Sequence, residues 1–304
     1  MAQLIKLEDC ISRYEWDIYR YPSQFIRLKQ DNWKKLLDAW QEKIPTYESI
    51  EWGESLSPIQ KLLSKLKRNA VSSATDGEIN MDNPLQTEEE LKQQFLDDLY
   101  AFQLKWASST VSDVSYFKRS YHKDPVLKYF LQRFPDNYLI MYHPIFSIKH
   151  APMEAEIVMI SPIGMEIIYL LEAPDYATII CEDERAWVID EGKSQSKIVS
   201  PVIALKRTET IVKGILQQTM PDFPIRKTVL SRTNHILLQH TPYHTSCIGK
   251  RDHAKWFKEK RALDSPLKSS QLKVAERLLK HCLTTSVKRP EWEEDATFTY
   301  VDEE

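Results

Sequence analysis

Hydrophobic positions change their spacing twice along the chain, and this divides it into three stretches. Residues 1–115 carry apolar side chains mainly at helical spacing. Residues 116–248 hold short apolar runs separated by prolines, which is typical of strands. Residues 249–290 return to helical spacing. We therefore predict a helical N-terminal region, an α/β domain and a helical C-terminal extension.

The N-terminal region is predicted to contain a long polar loop between helices. Ser57-Pro58 starts one short helix, and Thr87 with Glu90 forms a capping box that starts another. The loop covers residues 72–87, whose Ser, Thr, Asp, Asn and Gly content predicts mobility. An apolar stripe that either packs in the core or binds a protein partner comprises Leu91, Phe95, Leu99, Phe102 and Trp106.

The middle stretch is predicted to be an α/β sandwich with a mixed sheet. A helix over 124–134 precedes the strands, and Ser200-Pro201 starts a second helix that reaches about Gln218. The order of helix, three or four strands, helix and strand indicates this class. The predicted strands are 138–142, 145–149, 156–160, 167–171, 177–181, 187–189, 225–230 and 236–239.

The C-terminal part combines a helix with strong charge asymmetry. Ser265-Pro266 is predicted to cap the last long helix. Residues 249–289 hold twelve Lys or Arg against four Asp or Glu. Residues 291–304 hold seven acids and no bases, which predicts a disordered acidic tail.

Composition narrows the class of protein. Hydrophobic residues make up 42% and charged residues 28%, the balance of a globular protein. Six scattered glycines exclude the common glycine-rich phosphate loops. The start has no secretory signal and no apolar run spans a membrane, while the four cysteines are far apart. We therefore expect a soluble cytoplasmic protein with free thiols and no membrane partner.

A set of motifs in the middle stretch resembles a known family. Lys123-Asp124 opens a helix, Ala155 to Ser161 forms an apolar strand with one acid, and Pro162-Ile163-Gly164 forms a turn. Ser200-Pro201 opens the next helix. From His122 to Leu216 this frame resembles the nuclease-related domain (NERD) of the PD-(D/E)xK nucleases. The resemblance implies a restriction-endonuclease-like mixed sheet flanked by helices.

The catalytic positions of that family are occupied differently here. The resemblance places Tyr169 and Leu171 at the Glu-x-Lys positions and Ala204 at the glutamine of the second helix. Asp124 and Glu156 remain acidic. One well-placed carboxylate is a poor Mg²⁺ site, so a pseudoenzyme without a cofactor is expected. Asp124 is better explained as a helix cap, and Glu156 is equally well explained as a partly exposed acid on an edge strand.

Other residues of the sequence could in principle replace the missing catalytic groups or bind a metal ion. Glu166 and Glu172 have the wrong strand parity to face Glu156. Lys206 is a possible migrated lysine, which would leave a second metal carboxylate missing. A zinc site at His240, His244 and Cys247 lacks a fourth ligand, so no metal is expected.

The C-terminal extension offers a candidate nucleic-acid-binding surface. Basic residues with aromatic neighbours suit phosphate contacts and base stacking. The alternative is a solvated helix face with Trp256 in the core. The candidate residues are Lys250, Arg251, Lys255, Trp256, Lys258, Lys260 and Arg261.

The sequence thus predicts a non-catalytic nucleic-acid-binding or scaffold protein on a nuclease-related domain, with DNA or RNA as ligand. Two alternatives stay open. One is an active Mg²⁺-dependent endonuclease with a rearranged site, and the other is a protein-binding adaptor that uses its N-terminal helices.

Overall fold

The computed structural model describes residues 1–41, 87–149 and 151–289. The chain divides into two compact units, one of Met1–Ser23 with Gln103–Glu304 and the other of Gln24–Phe102. This division does not follow the predicted boundary between residues 115 and 116. The predicted helix at Ser57-Pro58, nearly all of the loop at 72–87 and the acidic tail lie outside the described residues.

A six-stranded mixed sheet forms the centre of the larger unit. Its order is β1-β3-β6-β7-β11-β13, with β3, β6 and β7 antiparallel and the pairs β1–β3, β7–β11 and β11–β13 parallel. The strands are β1 (Gln3–Leu7), β3 (Leu139–Tyr142), β6 (Ile157–Ser161), β7 (Gly164–Leu170), β11 (Ile225–Leu230) and β13 (Ser246–Ile248).

Strand β1 corrects the prediction that residues 1–115 are helical. All five of its residues are buried, including Gln3 and Lys6, so no polar face marks it in the sequence. The Lys6 ammonium reaches Glu15 Oε1 at 2.5 Å and donates to the Cys10 carbonyl oxygen and to Thr284 Oγ1, each at 2.8 Å. A buried lysine with these partners is compatible with a central position in the fold.

The start signals at Asp124-Pro125 and Ser200-Pro201 work as the sequence predicts. Asp124 Oδ1 accepts from the amides of Val126 and Leu127, and Ser200 Oγ accepts from that of Val202. The helices are α1 (Arg13–Trp16), α2 (Tyr21–Gln41), α3 (Glu88–Trp106), α4 (Pro125–Gln132), α5 (Pro201–Leu216), α6 (Lys250–Arg261) and α7 (Ser269–Leu279), with a 3-10 turn at Arg119–Lys123.

The turn between β6 and β7 requires its glycine. Gly164 has a φ of +154°, and a Cβ there would lie 3.0 Å from the carbonyl oxygen of Pro224. Both features disfavour any larger residue. The Pro162-Ile163-Gly164 turn predicted from the sequence therefore joins two antiparallel strands at a crowded point beside β11.

Smaller sheets account for the other strands. A four-stranded sheet has the order β10-β9-β8-β12, and two-stranded sheets pair β4 with β5 and β2 with β14. The sequence did not predict β10, β5 or β13. The strands are β2 (Asp113–Val114), β4 (Ile145–Ile148), β5 (Ala151–Glu154), β8 (Thr178–Cys181), β9 (Ala186–Asp190), β10 (Gln195–Val199), β12 (His235–Leu238) and β14 (Val287–Lys288).

The last helix begins later than its predicted cap. Ser265-Pro266 lies in an irregular segment, and α7 begins at Ser269 behind a capping box of Lys268 and Gln271. Asn137 Nδ2 holds the irregular segment by donating to the carbonyl oxygens of Leu263 and Ser265. These long-range bonds override the local proline signal.

The smaller unit contains most of α2 and α3. Trp33 packs against Phe95, with ring centroids 5.2 Å apart. The capping box is confirmed, because Thr87 Oγ1 accepts from the Glu90 amide at 3.2 Å. The five residues of the apolar stripe on α3 are all buried, in agreement with the core interpretation. Among the described residues, no helix has the length and apolar character needed to cross a membrane.

Candidate nucleic-acid interface and remnant site

The frame predicted to carry catalytic residues brings Glu156 and Tyr169 together. Ile157 pairs with Ile168 across β6 and β7, so Glu156 and Tyr169, one position outward on each strand, lie opposite each other. Burial raises the pKa of Tyr169, and the negative charge of Glu156 raises it further. The phenol of Tyr169 thus lies next to Glu156.

Glu156 is a shielded carboxyl group. Its side chain is 14% exposed, and burial raises its pKa to about 7 despite the opposing charge of Arg207. Arg207 Nη2 lies 4.0 Å from Glu156 Oε1, and the Glu156 amide donates to Thr208 Oγ1 at 3.1 Å. A carboxyl group with a pKa near neutrality is protonated in about half of the molecules at neutral pH, which weakens it as a metal ligand.

Lys206 does not reach this acid. Its ammonium lies 3.1 Å from Glu184 Oε2, among exposed side chains. The cation that α5 places beside Glu156 is Arg207, which the sequence analysis missed. The sequence offers Arg207 and Lys206 as equal candidates, because only the packing of α5 decides which of the two cations faces Glu156.

The other predicted positions have structural roles or carry no metal-binding groups. Asp124 caps α4, and its Oδ2 accepts from the Tyr142 hydroxyl at 3.2 Å. Leu171 packs in the apolar cluster that also includes Leu205, and Ala204 carries no polar atom beyond the backbone. In the described part of the chain, no three His, Cys, Asp or Glu side chains are grouped to hold a metal ion. The donor set therefore does not fit the Mg²⁺ that the resemblance implies.

A second polar cluster lies where β7 and β11 end. Arg232 Nε and Nη2 donate to Glu172 Oε1 and Oε2 at 2.6 and 2.7 Å, a bidentate ion pair. The guanidinium carbon lies 4.8 Å from the centroid of the Tyr129 ring. The Tyr129 hydroxyl lies 2.8 Å from His253 Nε2. Burial lowers the pKa of His253 and the charge of Arg232 lowers it further, which favours the neutral form of the imidazole.

Sequence reasoning missed this cluster for a physical reason. Glu172 is correctly placed away from Glu156 by strand parity, but its partner Arg232 follows a different strand. Tyr129 and His253 come from α4 and α6, far apart in the chain. No local spacing connects these four residues.

Glu166 also faces away from Glu156, and it connects the sheet to α6. Its Oε1 accepts from Thr228 Oγ1 at 2.5 Å and from Trp256 Nε1 at 3.1 Å, while its Oε2 forms an ion pair with Lys260. Trp256 is 7% exposed. Trp256 and Lys260, both predicted to bind nucleic acid, are therefore engaged with the protein interior, as the alternative interpretation of Trp256 proposed.

The remaining predicted cations lie on one exposed face of α6. At about 100° per residue, they fall within about 140° of the helix circumference. Trp256 and Lys260 fall on the opposite side, and the acids Asp252 and Glu259 border the face without entering it. We call this surface the cationic face, and it consists of the exposed residues Lys250, Arg251, Lys255, Lys258 and Arg261.

Two of the three residues proposed as zinc ligands, His240 and Cys247, have contacts or properties unrelated to a zinc site. The carbonyl oxygen of His240 accepts from Cys181 Sγ at 3.1 Å. Burial raises the pKa of the Cys247 thiol to about 12, which disfavours the thiolate that zinc requires. All four cysteines are free thiols, as the sequence predicts.

Comparison with known proteins gives one informative similarity. An RNA 2',3'-cyclic phosphodiesterase from Geobacillus stearothermophilus is 37% identical to this chain over 114 residues, covering 34% of this chain and 36% of the relative. The chain thus matches about a third of that relative's length. No family model matches the chain, and no solved structure matches it.

Proposed function

We propose that this protein binds nucleic acid through the cationic face of α6, on a nuclease-related domain that has lost its metal-dependent chemistry. The observation that carries the proposal is the segregation of charge on α6. Five exposed cations share one face, while Lys260, the cation on the opposite side, is neutralised by Glu166. A row of cations spaced along a helix suits contacts with successive phosphates.

The order of elements supports the nuclease-related frame. Helix α4, the antiparallel strands β3, β6 and β7, helix α5 and the parallel strand β11 follow one another in the order of that frame, with the β4–β5 pair inserted before β6 and strands β8, β9 and β10 inserted between β7 and α5. The loss of chemistry is supported by Tyr169 and Leu171 at the metal and ammonium positions. RNA as a ligand is supported by the relative from Geobacillus stearothermophilus.

The test is a charge reversal on the cationic face. Replacing Arg251, Lys255 and Lys258 with Glu is expected to weaken binding of a short RNA or DNA more than tenfold. It is also expected to reduce the slope of log affinity against log salt by about three, about one for each lost phosphate contact. Lys260 is left unchanged because it neutralises Glu166. Fluorescence anisotropy at several salt concentrations measures both quantities.

The matched control reverses three exposed cations elsewhere. Replacing Arg185, Lys193 and Lys197 with Glu changes the net charge of the protein by the same amount as the test variant. These three residues lie on the four-stranded sheet and its turns. The control variant is expected to keep the salt slope of the unmodified protein. Equal losses of nucleic-acid affinity in both variants would mean that net charge alone explains the binding. No loss of affinity in either variant would favour the adaptor alternative.

A second candidate function is cleavage of an RNA phosphodiester, and two observations favour it. One is the similarity to a cyclic phosphodiesterase. The other is the neutral imidazole of His253, hydrogen-bonded to Tyr129 and near Arg232. In such a reaction the imidazole would take the proton of an attacking water, the P–O2' bond of the cyclic phosphate would break, and the leaving oxygen would be protonated.

The two functions are separated by direct assay. Incubating the protein with a nucleoside 2',3'-cyclic phosphate, with EDTA or with Mg²⁺, and following ring opening by phosphorus NMR tests for cleavage. We expect no turnover under either condition. Turnover that disappears in His253→Ala would favour the second candidate, whereas Mg²⁺-dependent RNA cleavage that disappears in Glu156→Ala would restore the rearranged-nuclease alternative.

A further inference from the structure

A cavity of about 180 Å³ lies between the β6–β7 turn and the end of α6. Its volume corresponds to about six water molecules and is below the roughly 300 Å³ of the smallest pockets for drug-sized ligands. The occupant is therefore limited to about one ring system. The lining residues are Tyr138, Met159, Ser161, Ile163, Gly164, Met165, Glu166, Pro224, Arg226, Glu259, Lys260 and Leu263.

The chemistry of the lining combines apolar walls with a few polar groups. Methionines such as Met159 and Met165 are polarisable and adapt to flat rings. Ser161 Oγ donates to the Gly164 carbonyl oxygen at 2.7 Å and accepts from the Ile163 amide at 3.4 Å, which leaves one lone pair as an acceptor. Glu259 contributes a carboxylate, and Arg226 is exposed on β11. Apolar walls with both donors and acceptors match the edge and the face of a nucleobase.

The position of the cavity connects it to the cationic face. Glu259 and Lys260 line the cavity, while their neighbours Lys258 and Arg261 point to solvent from the same turn of α6. Lys255, at the edge of the cationic face, lies one helical turn before Glu259, so a strand whose phosphates follow that edge would carry its bases toward the mouth of the cavity. The Glu166 charge inside is neutralised by Lys260, so the cavity does not repel a strand strongly.

We propose that this cavity takes up one unpaired base of a single-stranded nucleic acid whose phosphates contact the cationic face. The inference rests on the proposed function and adds its ligand class. A base in a duplex is stacked and paired, so it cannot enter without being extruded, at a cost of a few kcal/mol. The protein therefore prefers single strands to duplexes.

The experiment compares three RNAs of twelve nucleotides by fluorescence anisotropy. They are a single strand of uridines, a duplex, and a single strand with an abasic spacer at every position. The unmodified protein is expected to bind the uridine strand about tenfold more tightly than the other two, the scale of one stacked base. The salt slopes for the two single strands are expected to be equal because their phosphates are the same.

A cavity-filling variant supplies a second readout. Leu263→Trp is expected to lower affinity for the uridine strand about tenfold and to leave that for the abasic strand unchanged. Leu267→Trp is the matched control, since Leu267 is similarly half-buried nearby but does not line the cavity. Free uridine monophosphate is expected not to compete at concentrations that saturate the strand, because it lacks the series of phosphates.

Each failure has a distinct meaning. No binding of any RNA would overturn the proposed function and the cavity inference together. Binding that is equal for all three RNAs, with a salt slope that the cationic-face variant reduces, would overturn the cavity inference alone. Effective competition by free uridine monophosphate would indicate a nucleotide site and would also overturn it. The abasic comparison needs no variant, so it decides the question even if Leu263→Trp does not fold.

Discussion

Arg207 Nη2 lies 4.0 Å from Glu156 Oε1, while the adjacent Lys206 pairs with Glu184. Two neighbouring cations on α5 thus point in different directions, because successive residues of a helix are about 100° apart. The positive charge of Arg207 only partly offsets the burial of Glu156, so its pKa is raised to about 7. Glu156 is therefore a shielded carboxyl group with one cation beside it.

The pH dependence of stability follows from this carboxyl group. Below about pH 4.5 it is protonated in both folded and unfolded chains. As the pH rises toward 7, the unfolded chain releases the proton first, so the folded state loses stability relative to the unfolded state. Glu156→Gln is expected to remove this loss and to be more stable above pH 8 by up to about 3 kcal/mol.

Urea denaturation at several pH values measures the effect. Glu184→Gln provides a control, since Glu184 is exposed and pairs with the exposed Lys206. An unchanged pH slope in Glu156→Gln would mean that Glu156 is ionised at low pH like an ordinary surface acid.

The bond between Trp256 and Glu166 is expected to stabilise the attachment of α6 to the sheet. Trp256→Phe keeps a ring but removes the Nε1 donor, 3.1 Å from Glu166 Oε1. A hydrogen bond to a charged group contributes about 1.5–3 kcal/mol, so a loss of about 2 kcal/mol in unfolding free energy is expected. Tyr243→Phe, at a side chain that is 69% exposed, is expected to change stability by less than about 0.5 kcal/mol. Equal stability of Trp256→Phe and the unmodified protein would contradict the role of this bond.

The pKa of His253 is expected to respond to Arg232. The charge of Arg232 lowers this pKa, whereas that of Glu172 raises it. Burial is the largest cause of the lowered pKa and remains in Arg232→Gln, so removing the charge of Arg232 is expected to raise the pKa of His253 toward its usual 6.5. NMR titration of the imidazole protons measures it. Arg226→Gln is the control, because Arg226 lies near the start of β11 whereas Arg232 follows its end. This variant is expected to leave the pKa of His253 unchanged. A shift of equal size in Arg226→Gln would attribute the effect to the net charge of the protein.

The role of Asp124 is expected to be structural. Its Oδ1 accepts from two amides at the start of α4. Asp124→Ala is expected to cost about 1 kcal/mol of stability, and Asp124→Asn much less, since both Asp and Asn are favoured caps. Thermal unfolding compares the variants. A large loss of nucleic-acid affinity in the folded Asp124→Asn protein would instead assign this residue to the ligand-binding surface.

Local signals of the sequence determined the helix starts and most of the strands. Thr87 with Glu90, Asp124-Pro125 and Ser200-Pro201 work through bonds within one helical turn, so they act as predicted. Strands with apolar runs between prolines were also recognisable, and Ile225–Leu230 has the predicted bounds. Strand parity correctly separated Glu166 and Glu172 from Glu156. These features depend on neighbours within a few positions.

Only the tertiary structure decided how distant segments combine. Strand β1 was missed because a strand buried on both faces, with Lys6 satisfied by Glu15 and Thr284, has no alternating pattern. The start of α7 moved because Asn137 binds the preceding carbonyl oxygens.

The cations of α6 show the same limit. Composition alone counts seven candidate residues equally, but burial of Trp256 and the pairing of Lys260 with Glu166 divide the helix into two faces. That division depends on a partner ninety residues away in sequence, since Glu166 and Trp256 meet only when β7 and α6 pack together. The spacing of residues along a helix can be read from the local sequence. Which side of the helix faces the core is set by the free energy of packing the whole fold.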